Sequence, residues 1–219
     1  MINIAIDGHA GSGKSSVAEG LANRLGFKLL NTGEIYRSLA CRYYDENLGE
    51  PSEEKLEKLL ANLIVEIRFE GKKQFVYVDE ICYKNRLRDE EISELASQIS
   101  VFKTVRDKIL YIQRDFAQKY DCILEGRDIQ TVVLPNADVK IFLTASQEVR
   151  AKRRYYQLKD NTLTYEHILE DLKNRDWRDE HREIAPLKPA KDAIIIDNTD
   201  IDLQQTIDKC YEIIIKSLS

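Results

Sequence analysis

Gly8-His9-Ala10-Gly11-Ser12-Gly13-Lys14-Ser15 is the stretch on which the reading of this chain turns. It matches G-x-x-x-x-G-K-[ST] in full. Glycines at these positions let the backbone curl until successive N–H groups point inward at an anion. A helix opening near Lys14 adds its positive dipole end. The Lys14 ammonium can then reach the β- and γ-phosphates of a nucleotide, and the Ser15 hydroxyl suits the Mg²⁺ that ATP carries. The nucleotide set predicted here is Gly8 to Ser16: Gly8, His9, Ala10, Gly11, Ser12, Gly13, Lys14, Ser15 and Ser16. His9 reads as a filler of the loop rather than a base. A tight turn with chance glycines is the bland alternative. What favours a phosphate cradle is the context, an apolar strand before the loop and an amphipathic helix after it.

Working outward, residues 2–6 (Ile-Asn-Ile-Ala-Ile) are the predicted strand. Val17, Ala18, Leu21, Ala22 and Leu25 recur at helical spacing, and Gly26 is a natural stop. Phe27 to Leu30 can be a second strand. Strand, loop, helix, strand opens a parallel α/β sheet. Glu34–Glu46 reads as helix, broken by Gly49 and Pro51, and Ser52 can cap a short helix through Leu63. The texture then changes. Ile64–Phe69, Phe75–Val78 and Ile81–Tyr83 are strand-like with no helix between them, so about residues 50–88 are expected to form an inserted antiparallel lobe. Glu90–Lys119 reads as helix broken near Phe102. Cys122–Glu125, Val139–Leu143 and Ala193–Asp197 are further short strands, and Ser146–Lys159, Thr164–Glu180 and Leu203–Leu218 further helices. The expected core spans 1–219: an α/β fold with a parallel sheet of about five strands flanked by helices.

Composition narrows the classes. The 219 residues are 43% hydrophobic and 32% charged, which supports a packed core rather than disorder. A net charge of -5 argues against a general nucleic-acid or membrane-surface binder. Cys41, Cys82, Cys122 and Cys210 form no CxxC pattern and do not group with His9, His167 or His181, so they read as free buried thiols. The first residues lack the basic and apolar regions of a signal peptide, and no apolar run approaches the ~20 residues of a membrane helix. A cytoplasmic protein is expected, monomeric, with no nucleic-acid or membrane partner.

The loop leaves the phosphoryl acceptor open. A GTPase would need an Asn-Lys-x-Asp sequence, which is absent. Val76-Tyr77-Val78-Asp79-Glu80, the nearest thing to a motor ATPase's apolar run ending in acids, falls in the insertion. A kinase acting on a monophosphate must neutralise the acceptor's own phosphate, and arginine's planar fork does this best. Arg37 follows the second strand and Gly33. Arg127 stands at a central strand end after Gly126, where ligands sit in such sheets. Arg175, Asp179 and Arg182 are spaced i, i+4, i+7 and would share a helix face, although a plain salt-bridge ladder competes with that reading. Arg178 is left as a surface charge. The run Arg150-Ala151-Lys152-Arg153-Arg154 suggests a lid over about 150–162 that closes on the ATP phosphates, with Arg150 and Arg154 as its contacts and Arg153 undecided.

Together these stretches resemble bacterial cytidylate (CMP) kinases over nearly the whole chain. The family's Asp-Ser/Thr-Gly-x-x-Tyr-Arg is Asn31 to Arg37 here. Its Ala-Ser-Gln segment and following Val-Arg are Ala96-Ser97-Gln98 and Val105-Arg106. Its Asp-Gly-Arg-Asp-x-Gly-Thr-Val-Val is Glu125 to Val133, and its Arg-Asp-x-x-Asp-x-x-Arg is Arg175 to Arg182, followed by Ala185-Pro186-Leu187. The resemblance implies a P-loop kinase whose antiparallel insertion binds the nucleoside monophosphate. It implies that Thr32, Arg37, Arg127 and Arg182 hold the CMP phosphate. Ser97, Arg106 and Asp128 would read cytosine, and Asp179, oriented by Arg175, would hold the sugar hydroxyls. Lys14, Arg127, Arg150 and Arg154 would stabilise the transferring group. Asn31, Glu125 and Gln130 depart from the family's aspartate, aspartate and glycine.

The expected reaction is ATP plus CMP or dCMP giving ADP plus CDP or dCDP, with Mg²⁺ entering on the nucleotide. Still open are a P-loop kinase for UMP, AMP or a non-nucleotide, a nucleotide-binding ATPase or regulator without an acceptor, and an RNA-binding module on the basic run.

Overall fold

Strand β1 (Asn3–Gly8) is buried along nearly its whole length, which a run of apolar residues with both faces covered requires. In the computed structural model, which describes residues 1–157 and 163–218, it is the middle strand of the larger sheet. Helix α1 (Lys14–Leu25) follows the glycine loop and stops at Gly26. Strand β2 (Lys28–Asn31) and helix α2 (Thr32–Asp45) come next, then α3 (Glu53–Leu60). Strands β3 (Val65–Glu70), β4 (Lys73–Val78) and β5 (Ile81–Cys82) form a separate antiparallel sheet. Helices α4 (Glu90–Ile99) and α5 (Lys103–Lys119) lead to β6 (Cys122–Gly126). A five-residue π-helix over Ile129–Val133 precedes β7 (Val139–Thr144), α6 (Gln147–Gln157), α7 (Tyr165–His181), β8 (Ile194–Asp197) and α8 (Leu203–Leu218).

The five strands run in the order β2-β6-β1-β7-β8, a parallel sheet flanked by helices as expected. The chain passes from β6 to β7 across β1, so the strand order reverses at β1. Ligand crevices in open α/β sheets lie at the carboxyl end of such a switch point, and the glycine loop leaves β1 there. Helices α1 and α8 pack on each other, and α6 packs on α7. Lys140, buried within β7, is satisfied by the Pro135 carbonyl at 2.6 Å and by Asp192 at 2.7 Å.

The chain divides into two compact units, Met1–Lys28 with Tyr120–Ser219, and Leu29–Lys119. In the second, α2 packs on α4 and on β4, and α3 packs on α5. Strand β3 alternates half-buried and exposed side chains, the mark of a sheet with one covered face. This unit is wider than the predicted insertion, because α2 packs on β4, α4 packs on α2, and Phe116 of α5 stacks on Phe69 of β3. Three of the cysteines are buried, Cys82 is half-buried, and all four are free.

Candidate active site

In the first unit the glycine loop is built against four supports. Gly8 has φ 149°, and a Cβ there would lie 1.9 Å from the Leu143 carbonyl oxygen, so only glycine lets β1 run this close to β7. Ala10 is buried against Ala151 of α6 and Ile168 and Leu172 of α7. The buried Arg150 donates from Nη1 to the Ala10 carbonyl (3.0 Å) and from Nε to the Ala145 carbonyl (2.9 Å). Its Nη2 pairs with Asp176 at 2.7 Å. The buried Asn198, just past β8, donates from Nδ2 to the Ser12 carbonyl at 2.9 Å. Arg153 in turn donates to the Asn198 side-chain oxygen (2.9 Å) and carbonyl (2.8 Å).

These contacts revise three expectations. Arg150 is a brace beneath the loop rather than a lid contact, since its guanidinium is committed to two carbonyls and a buried carboxylate. Arg153 acts on the loop through Asn198. His9 does more than fill space: its Nε2 lies 2.7 Å from Glu180 on α7, and its ring meets Phe142 edge-on. Arg154 sits half-buried on α6, while residues 158–162 of the predicted lid lie outside the described residues. Ser15 and Ser16 are exposed in the first turn of α1, where an oxygen donor suits a hard cation such as Mg²⁺.

Lys14 is buried and folds back on its own loop, donating to the His9 carbonyl at 2.6 Å. Burial, then the Arg127 guanidinium, holds its ammonium well below the usual lysine range, with Arg175 adding to the effect and Glu125 and Asp7 opposing it. A lysine beside two guanidinium groups marks a pocket that an anion would relieve.

The same arginines converge on Asp179. Arg127 Nε donates to Asp179 Oδ2 at 2.9 Å. Burial pushes the Asp179 carboxyl upward, but Arg127, Arg175 and Arg182 together outweigh it and hold the group below the usual carboxylate range. Helix α7 ends at His181, so Arg182 is its extended cap residue and not part of a continuous face. Its Nε donates to the Ala185 carbonyl at 2.7 Å, and its Nη2 approaches Asp128 at 3.8 Å. Arg127, Asp128, Arg175, Asp179 and Arg182 are thus neighbours, with Arg127 and Arg175 also acting on Lys14.

The π-helix after Asp128 is the local feature that the sequence did not foretell. The Val133 N–H reaches back to the Asp128 carbonyl and the Leu134 N–H to that of Ile129, one residue wider than an α-turn. The buried Asp7 carboxylate accepts from the Ile129 N–H (3.0 Å) and the Gln130 N–H (2.8 Å), tying this turn to the strand that bears the glycine loop. Burial pushes the Asp7 carboxyl up to about 7, against the pull of those two N–H groups and Lys14.

The second unit carries the remaining predicted residues. Asn31 caps α2, its side-chain oxygen accepting from the Glu34 N–H at 3.1 Å. Asparagine thus caps the helix without bringing a charge. Gln74 of β4 pins the Asn31 backbone with bonds of 2.8 and 3.1 Å. Thr32 is buried in the first turn. The Arg37 guanidinium lies across Gly33, where a Cβ would fall 2.9 Å from Nη1, so Gly33 leaves room for an arginine at the start of a helix. At the α4–α5 junction the buried Arg106 donates to the Ser100 carbonyl at 3.1 Å, and the Ser100 hydroxyl donates to the Ser97 carbonyl at 2.8 Å.

The cytidylate kinase family model matches residues 4–216. The chain belongs to the cytidylate kinase family. A cytidylate kinase from Caldicellulosiruptor saccharolyticus is 40% identical over 98% of this chain and 96% of its own length. One from a Thermotoga species is 42% identical over 96% of each. A crystal structure of an uncharacterized protein from Eubacterium ventriosum superposes with a TM-score of 0.52 at 18% identity, over 98% of this chain and 96% of that one, and shows the fold alone. Membership makes the chain a nucleoside monophosphate kinase, a transferase. Among the described residues no helix is long and apolar enough to cross a membrane.

Within this cytidylate kinase fold, sequence reasoning passed over Asp7, Asp176 and Asn198. Asp7 was in reach, because an acid inside an apolar strand needs partners. Asp176 stood within the Arg175 to Arg182 run but carried no role of its own, and Asn198 gave no signal, since each looks like an ordinary polar residue until the fold carries it beneath the loop.

Proposed function

We propose that this cytidylate kinase family member moves the γ-phosphoryl group of ATP onto CMP, and onto dCMP, yielding CDP or dCDP. One observation carries the reading. The lysine of the nucleotide loop and the arginine cluster around Asp179 share Arg127 and Arg175, so donor and acceptor anions have adjoining electropositive ground. An oxygen of the CMP phosphate attacks the γ-phosphorus, and the bond to the β–γ bridging oxygen breaks, its electrons leaving with ADP. The attacking oxygen is already ionised, so no strong general base is needed. Catalysis rests on positioning and charge neutralisation.

Lys14 neutralises the β- and γ-phosphates in this reading. Ser15 would hold the Mg²⁺ that arrives with ATP, which adds further charge neutralisation there. Thr32, Arg37, Arg127 and Arg182 take the CMP phosphate, and Asp179, held by Arg127 and Arg175, takes the sugar hydroxyls. Asp128 accepts from the exocyclic amine of cytosine while Ser97 and Arg106 serve the rest of the ring. Uracil, with a carbonyl in place of that amine, would leave the carboxylate unpaired. Arg150 braces the loop, and Arg154 is the lid-side contact to ATP. The protein acts as a cytoplasmic monomer without nucleic-acid or membrane partners.

An acceptor panel in a coupled ADP-release assay tests the proposal. CMP and dCMP should drive turnover, with UMP and AMP well behind. ATP hydrolysis indifferent to any added monophosphate would remove the kinase reading.

A further inference from the structure

Gln130 stands where the family resemblance expects glycine, and the residue makes three contacts at once, one through its backbone and two through its side chain. Its N–H donates to Asp7 Oδ2 at 2.8 Å. Its side-chain Nε2 donates to the Ile141 carbonyl of β7 at 3.2 Å, and its Oε1 accepts from the Ala190 N–H at 3.0 Å. The side chain is buried, so losing either bond leaves one of its own polar atoms unsatisfied. A glycine could supply the first contact but neither of the others.

Ala190 closes the segment that follows α7. That segment has two further anchors. The Leu187 N–H donates to the Asp179 carbonyl at 2.7 Å, with the Leu187 side chain buried. The Ala185 carbonyl accepts from Arg182 Nε at 2.7 Å, at a residue with φ 53°, a conformation that needs its surroundings to hold it. Gln130 fixes the far end of a strap whose near end orients the Arg182 guanidinium.

We propose that Gln130 is a positioning residue for the acceptor phosphate. It holds the 183–190 strap against β7, and the strap sets Arg182. This rests on the reading of Arg182 as an acceptor-phosphate contact. The Gln130 side chain is committed to Ile141 and Ala190 and makes no bond to the nucleotide loop, so the effect falls on the acceptor and spares ATP.

The test is a double-mutant cycle on the full-length enzyme. Q130M keeps the length of the side chain and removes both of its hydrogen bonds, and Q130G provides a second variant with nothing to misplace. KM for CMP should rise about fivefold in Q130M, the scale of one or two lost hydrogen bonds, with KM for ATP within about twofold. R182A should raise KM for CMP on its own, and Q130M added to R182A should then cost much less than it does alone. Additive effects of Q130M and R182A, or an equal rise in KM for ATP, would overturn the proposal. If R182A raises KM for CMP while both Gln130 variants leave it unchanged, the positioning claim alone falls. If R182A leaves KM for CMP unchanged, the acceptor reading of Arg182 falls with it.

Discussion

The glycine loop and the arginine cluster around Asp179 are the two proposed anion sites, and they are made in opposite ways. The loop is one continuous stretch of backbone, Gly8 to Ser15, whose curvature comes from its own glycines. The cluster gathers Arg127 from the end of β6, Arg175 from within α7 and Arg182 from that helix's cap. It is tied together by a buried carboxylate that feels all three. The loop delivers fixed dipoles and one ammonium, whereas the cluster delivers guanidinium forks whose aim depends on their neighbours. A local device tolerates changes elsewhere in the fold. A dispersed one inherits every shift of the elements that carry it.

The difference can be broken most severely at Lys14. Lys14→Ala should lower kcat by about a thousandfold or more while leaving the fold intact, because the charge it brings to the phosphates is not replaced. Activity within a few-fold of the parent would refute the role of the loop.

Arg150 tests how far the loop is self-sufficient. Arg150→Met leaves Asp176 as an uncompensated buried carboxylate and should cost about 3 kcal/mol of stability. Arg154→Met should stay within about 0.5 kcal/mol. Denaturant unfolding of the two variants separates brace from contact, and equal costs would return Arg150 to the lid.

Asp128→Ala should narrow the preference for CMP over UMP by about tenfold with KM for ATP little changed. Steady-state comparison of the two acceptors reads this directly, and an unchanged ratio would remove Asp128 from base reading.

The last effect belongs to Asp7, which links the two regions, and it shows only as a change with pH. Its folded carboxyl titrates near 7, above the ordinary value of 3.8, so the folded state holds this proton more tightly than the unfolded chain does. Its contribution to stability is therefore fully present below about pH 4 and declines as pH rises toward 7. Asp7→Asn removes that dependence. The stability of the parent minus that of the variant should fall by about 2 kcal/mol between pH 5 and pH 7. A flat difference would show that the carboxylate ionises without penalty inside the sheet.

Much of the site was legible before any fold was known. The loop could be read because its geometry follows from glycines and a helix start, which are properties of neighbouring residues. The order of strands and helices could be read from apolar spacing for the same reason. The fork of Arg37 over Gly33 is also local, four residues apart on one helix. Arg150 could not be placed from the sequence, because a basic run on a helix looks the same whether it faces solvent or a buried carboxylate.

By itself, then, the sequence determined the curled glycine loop, the parallel sheet with its antiparallel strands and the resemblance that named the acceptor. Each of these is a matter of short-range backbone preference or of recognisable residues in order. Only the tertiary structure decided that Asp7 would cap a π-turn 122 residues away, that Asn198 and Arg150 would hold the loop from below, and that Gln130 would clasp Ala190. Those contacts join residues far apart in the chain. A buried polar group takes whatever partner the packing of the whole unit brings to it.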